Sequence, residues 1–198
     1  MRAKIVVLTL LVGVVAGTAV AQQASKPVVP GHGLNIALTY VPERAQFSST
    51  GAGSSSFWFQ GGGLQLGRPL QHGWSGVFDF TGAHAASVAS GHTGLDLITL
   101  TAGPRYGRRL PNTKYSLFGQ ALAGGAFGFN GIFPDSNGVT STSSKSVAVK
   151  LGGGLDADVA PRLKWRVIEA NWLYTRLTNA GNNQQHTLQF GTGLVYHF

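Results

Sequence analysis

The chain of 198 residues has no cysteine and a single methionine. A disulfide framework, a thiolate metal or iron–sulfur site, a cysteine nucleophile and a lipidated cysteine anchor are therefore all excluded. Charge is sparse as well, with Asp, Glu, Lys and Arg making up only 11% of the residues. Hydrophobic residues reach 43%, which argues against a disordered chain. The 15 Lys and Arg outnumber the 7 Asp and Glu, yet no dense basic run occurs. The closest cluster, Arg105, Arg108, Arg109 and Lys114, surrounds a turn, so nucleic-acid binding is not expected. Past the N-terminus no stretch approaches 18 consecutive apolar residues, so no later helical span is expected. Glycine, in contrast, is abundant at 29 residues and shows no three-residue period, which excludes collagen. At about 1 kcal/mol per helix-interior site relative to Ala, so much glycine also argues against a helical bundle.

The N-terminus reads as an export signal. Arg2 and Lys4 precede an apolar stretch from Ile5 to Val15, and Ala19-Val20-Ala21 supplies small residues for cleavage. The uncharged run from Ile5 to Ala21 is short of the roughly 20 residues a spanning helix needs. Cleavage after Ala21, with Ala19 and Ala21 as the recognition residues, is the expectation. It gives a signal peptide over 1–21, a short periplasmic segment over 22–33 and one domain over 34–198.

That domain is patterned with period two. From Leu188 to Phe198, one face carries Leu188, Phe190, Thr192, Leu194, Tyr196 and Phe198, and the other Gln189, Gly191, Gly193, Val195 and His197. Residues 146–159, 98–106, 166–176 and 34–41 alternate similarly, with Val167 and Leu173 as exceptions. Residues 57–67, 75–84 and 115–129 are weaker members of the set. Eight segments of this kind predict strands, and a tilted strand crosses a bilayer in about 9–11 residues. Short connections near 68–73, 107–113 and 160–164 alternate with long polar ones at 42–56, 85–94, 130–145 and 178–185. This is the layout of an eight-stranded antiparallel up-and-down transmembrane β-barrel, all-β, with both termini at the short-turn end. The last segment runs to the last residue, so no second domain is expected.

Alternation alone does not say which face meets lipid. Three features favour an apolar exterior. The less apolar face carries Asp79, Arg105, Lys150, Asp156 and Glu169, mixed signs that suit an enclosed interior network. Aromatic residues gather at segment ends, as two interfacial girdles require. Seven basic residues (Arg68, Arg108, Arg109, Lys114, Arg162, Lys164 and Arg166) sit in or beside the short turns, where anionic headgroups would meet them. Asp156 and Asp158, two apart, read as interior charges partnered by Lys150 or Arg105. Pro104 needs a break in the ladder, for which a bulge is expected.

These residues resemble the small outer-membrane β-barrel family, of the type of the outer-membrane protein A transmembrane domain. The resemblance is carried by Trp74-Ser75-Gly76-Val77-Phe78-Asp79-Phe80, Leu100-Thr101-Ala102-Gly103-Pro104-Arg105, residues 118–125, Leu151-Gly152-Gly153-Gly154-Leu155-Asp156, and Gln184 onward to Phe198. It implies location in the outer membrane and contact with its lipid and lipopolysaccharide. It also implies that Phe190, Leu194, Tyr196 and Phe198 form the signal read by the barrel-assembly machinery. The peptidoglycan-binding domain of outer-membrane protein A has no counterpart here. The family brings no catalytic residues.

Catalytic, cofactor-binding and metal-binding residues are not expected. The six histidines are scattered without ligand spacing. The glycine triplets 61–63 and 152–154 do not fit a phosphate-binding loop. An eight-stranded barrel has an interior that side chains just fill, so at most a narrow pore is expected, in a monomer. The competing readings are a secreted, soluble lipocalin-like barrel around a small apolar ligand, and an enzyme modifying lipid A. For the enzyme, the rim near His186 offers Thr187 rather than Ser.

Overall fold

The computed structural model describes residues 33–49, 53–86, 94–134, 137–179 and 183–198. The proposed cleavage site at Ala19 and Ala21, and residues 22–32, lie outside them. Eight strands run in chain order: β1 (Asn35–Ser49), β2 (Gly53–Pro69), β3 (Trp74–Ala85), β4 (Leu95–Arg109), β5 (Tyr115–Pro134), β6 (Thr140–Ala160), β7 (Leu163–Thr175) and β8 (Gln185–His197). Each pairs antiparallel with the next, and β8 closes on β1, Asn35 opposite His197. Closure satisfies every ladder without leaving an edge, which is what a sheet in hydrocarbon must do.

The short turns fall as expected, but the strands at the other end run further than the sequence suggested. Residues 42–49 pair with 53–60, and Phe133 and Pro134 with Ser141 and Thr140. Much of what read as polar loop is therefore paired ribbon, because Ser and Thr hydrate easily and yet tolerate strand geometry. The glycine triplets lie inside β2 and β6.

Pro104 lies within β4 on the outer side. The β4–β5 ladder has no pairs between Ala102↔Ala123 and Arg105↔Gln120, and it resumes in the same register. No bulge is needed: a local lapse accommodates the missing donor. A bulge occurs instead in β7. Arg166 faces Gly193 and Glu169 faces Gly191, so two residues of β7 oppose one of β8. The bulge reverses the alternation below Glu169. Trp165 turns outward and Arg166 inward, fully buried.

Where β8 meets β1, backbones approach closely at Gly193. A Cβ there would stand 2.7 Å from the Thr39 Cα and closer still to the Leu38 carbonyl oxygen. Gly193→Ala is expected to lower stability by about 1–3 kcal/mol through overpacking. Urea unfolding followed by tryptophan fluorescence tests this. An unchanged midpoint would mean the two strands are less tightly apposed than described.

Candidate functional site

The lumen is the candidate site, and every strand contributes to it. Toward the short turns it holds a polar network. Lys150 Nζ lies 2.5 Å from Asp79 Oδ1 and donates to Thr81 Oγ1 at 3.2 Å. Gln65 Nε2 donates to Asp79 Oδ2 at 2.8 Å and to Glu169 Oε1 at 2.9 Å. Glu169 is the hub: its Oε1 also accepts from Gln120 and Asn171, and its Oε2 from Arg166 Nη1 at 2.7 Å. Arg166 grips Asp156 with two nitrogens, at 2.9 and 3.3 Å. Arg105 donates to Gln120 Oε1 from Nε at 3.0 Å and to Gln65 Oε1 from Nη2 at 2.6 Å. Its guanidinium and that of Arg166 lie 4.3 and 4.6 Å from the centre of the Phe118 ring. Farther up, Gln189 of β8 donates to Glu43 of β1 at 2.8 Å.

All five interior charges expected from the sequence line the lumen. Their pairing differs in one respect: Asp156 is partnered by Arg166, not by Lys150 or Arg105. Lys150 belongs to Asp79, and among the described residues Arg105 has only amide oxygens as hydrogen-bond acceptors. Arg166 itself was expected among headgroups, because strict alternation from Glu169 points it outward. The bulge overturns that placement, and the exceptional Val167 was the available signal. Glu43 was missed because Pro42–Ser56 read as loop. Asp158 faces the turn end and pairs with Arg109 at 2.7 Å and Lys164 at 3.4 Å.

The other half of the lumen corrects a second expectation. It is not polar. Ala45, Phe59, Leu97, Phe133, Leu173 and Leu177 are buried there in one apolar cluster. Above them an apolar cavity of about 140 Å³, bordered by Phe57, Leu95 and Ile132, opens toward the long connections.

Outside, the arrangement is the reverse of a water-soluble barrel. Leu38, Val147 and Leu194 are 63%, 60% and 53% exposed, while Arg166 and Glu43 are fully buried. Burying apolar surface is the main driving force for folding in water, so such an exterior belongs in hydrocarbon. The lipocalin-like reading fails on this point. No family model and no curated sequence matches the chain. Among solved structures, neisserial surface protein A superposes with a TM-score of 0.60 at 16% identity, covering 83% of this chain and 97% of that one. Ail, the attachment invasion locus protein of Yersinia pestis, in complex with the heparin analogue sucrose octasulfate, gives 0.54 at 18% identity, covering 85% and 100%. The chain has the fold of the small outer-membrane β-barrels.

In this barrel two aromatic girdles bound the apolar band. Trp74 and Tyr106 pair at the short-turn end, ring centres 5.3 Å apart, with Tyr115, Trp165 and Tyr196 on the same rim. Near the other end Trp172 stacks on His186 at 5.5 Å, with Tyr174 beside it. Phe190, Leu194, Tyr196 and Phe198 all face outward, and Tyr196 meets Phe198 edge-on at 4.8 Å. Arg68, Arg108, Arg109, Lys114 and Arg162 are exposed at the short turns. His186 is on the outer face while Thr187 is buried inside, so the two residues considered for an enzyme do not share a site. Among the described residues no group of three metal-ligating side chains forms. One histidine–carboxylate pair stands on the outer face, His84 Nδ1 2.6 Å from Asp96 Oδ1.

Proposed function

We propose that this barrel is a sealed, integral protein of the outer membrane with a structural or surface-interaction role. It supports membrane integrity or makes contacts through its long connections, without enzymatic activity. The observation that carries the reading is the filled lumen. An apolar cluster occupies one half and a hydrogen-bonded charge network the other, so a hydrated path would have to disrupt both. An eight-stranded barrel has no spare width for one. The exposed arginines at the short turns would meet anionic headgroups, and the girdles would fix the depth. Lipid and lipopolysaccharide are the surroundings proposed for it, as a monomer. The outward row Phe190, Leu194, Tyr196 and Phe198 is proposed as the mark the assembly machinery reads.

Single-channel recording of the refolded protein tests the seal. The expected result is no resolved conductance steps, or at most rare small ones. Steady openings of large-pore size would sink the reading. Deleting the protein should leave the lipid A acyl pattern unchanged, whereas a changed pattern would instead favour the enzyme.

A further inference from the structure

The short-turn end of the lumen holds a second cavity, open to that side, of about 290 Å³. At its inner end are Arg105, Arg166 and Phe118, and at its mouth Arg109, Lys164 and His197. Five permanent cations, Arg108 among them, thus line it. Three carboxylates answer them: Asp156 and Glu169, both held by Arg166, and Asp158 beside the mouth, shared by Arg109 and Lys164. Arg105 makes no direct ion pair. Among the described residues no carboxylate oxygen lies within 4 Å of it, and its Nη1 has no hydrogen-bond partner. It is held in place all the same, by the two glutamine oxygens and by the Phe118 ring. His197 adds a buried Nε2 with no partner. A guanidinium fixed by neutral groups, with a free donor facing a basic cavity, is a preorganised oxyanion receptor.

We propose that this vestibule binds a phosphate-type oxyanion, with Arg105 as its anchor and Lys164 at the entrance. The ligand is either a soluble phosphate compound or the phosphate of a lipid headgroup at the adjoining membrane surface. Arg105 contributes a guanidinium that no carboxylate contacts directly, and the cavity has room for more than one phosphoryl group. The proposal is independent of the seal: a conducting barrel could fill this site, and a sealed one could leave it empty.

The probe is inorganic pyrophosphate, titrated at constant ionic strength into the protein refolded in zwitterionic micelles. Arginine side-chain NMR signals are the readout. The expected result is a saturable shift of the Arg105 and Arg166 signals, with affinity at least tenfold weaker in Arg105→Gln and reduced in Lys164→Gln. Arg44→Gln, at the opposite end, should bind as the parent does. Lys164 is nearer the surface, so its variant keeps the test alive if Arg105→Gln does not refold. Repeating the titration in nanodiscs containing phosphatidylglycerol separates the sources. Signals already shifted before pyrophosphate is added assign the site to lipid phosphate, and unshifted signals assign it to a soluble ligand. A linear, non-saturating response that both variants share would overturn the proposal.

Discussion

Replacing Arg166 with Met should cost about 3–5 kcal/mol, the range for removing one partner of a buried ion pair. Arg166 is fully buried and makes charged contacts with Asp156 and Glu169. Without it, two carboxylates in the lumen lose their counter-charge, and Glu169 is also the acceptor that Gln65, Gln120 and Asn171 share. The damage should therefore spread to strands β2 and β5, which β7 reaches only across the lumen. Lys is expected to restore little, since one ammonium cannot span both carboxylates as the guanidinium fork does. Urea unfolding in lipid vesicles gives the number. The companion triple variant Arg166→Met, Asp156→Asn, Glu169→Gln should recover most of the loss, because it removes the stranded charges along with their partner. If the single and triple variants unfold alike, the network is not electrostatically coupled.

Leu151→Arg is the second large effect, about 2–4 kcal/mol for a side chain inside the apolar band. Leu151 is 44% exposed on the outer face of β6, opposite Ala121 on one side and Trp172 on the other. Leu155 also faces outward, but it borders Tyr115 and Trp165 of the short-turn girdle. Leu151 in turn pairs with Trp172 of the other girdle, so each site lies toward one rim of the apolar band and Leu155→Arg should cost about as much as Leu151→Arg. The difference between the two, measured in the same vesicles, reports depth rather than general sensitivity. Clearly unequal costs would mean that the apolar band is not centred where the girdles place it.

Much of this was legible in the residues. Period-two alternation in β3, β4, β6 and β8 gave both strands and facing, because one residue slip would move a whole row between lipid and lumen. Asp79, Arg105, Lys150, Asp156 and Glu169 were readable as interior charges for the same reason. The signal fails where backbone geometry departs from strict alternation. A bulge is a tertiary event with no mark beyond the misplaced Val167, and it hid Arg166, the cation that organises the network. Glu43 was hidden differently, in a segment whose Ser and Thr suggested loop while its backbone was pairing. The apolar half of the lumen was hidden too: Leu173 stood only as an exception to the alternation, Phe59 fell in a weakly patterned segment and Leu97 in none.

The paired extension of β5 and β6 carries a last consequence. Phe129 and Phe133 stand opposite Ser143 and Ser141 in a hydrogen-bonded ribbon well beyond the apolar band. A ribbon of this kind has already lost most of its backbone freedom at folding. A binding partner would meet a firm surface, and the ordering cost of recognition would fall mainly on that partner. Tightness there should then respond more to side-chain fit along the ribbon than to the length of the connection at its tip.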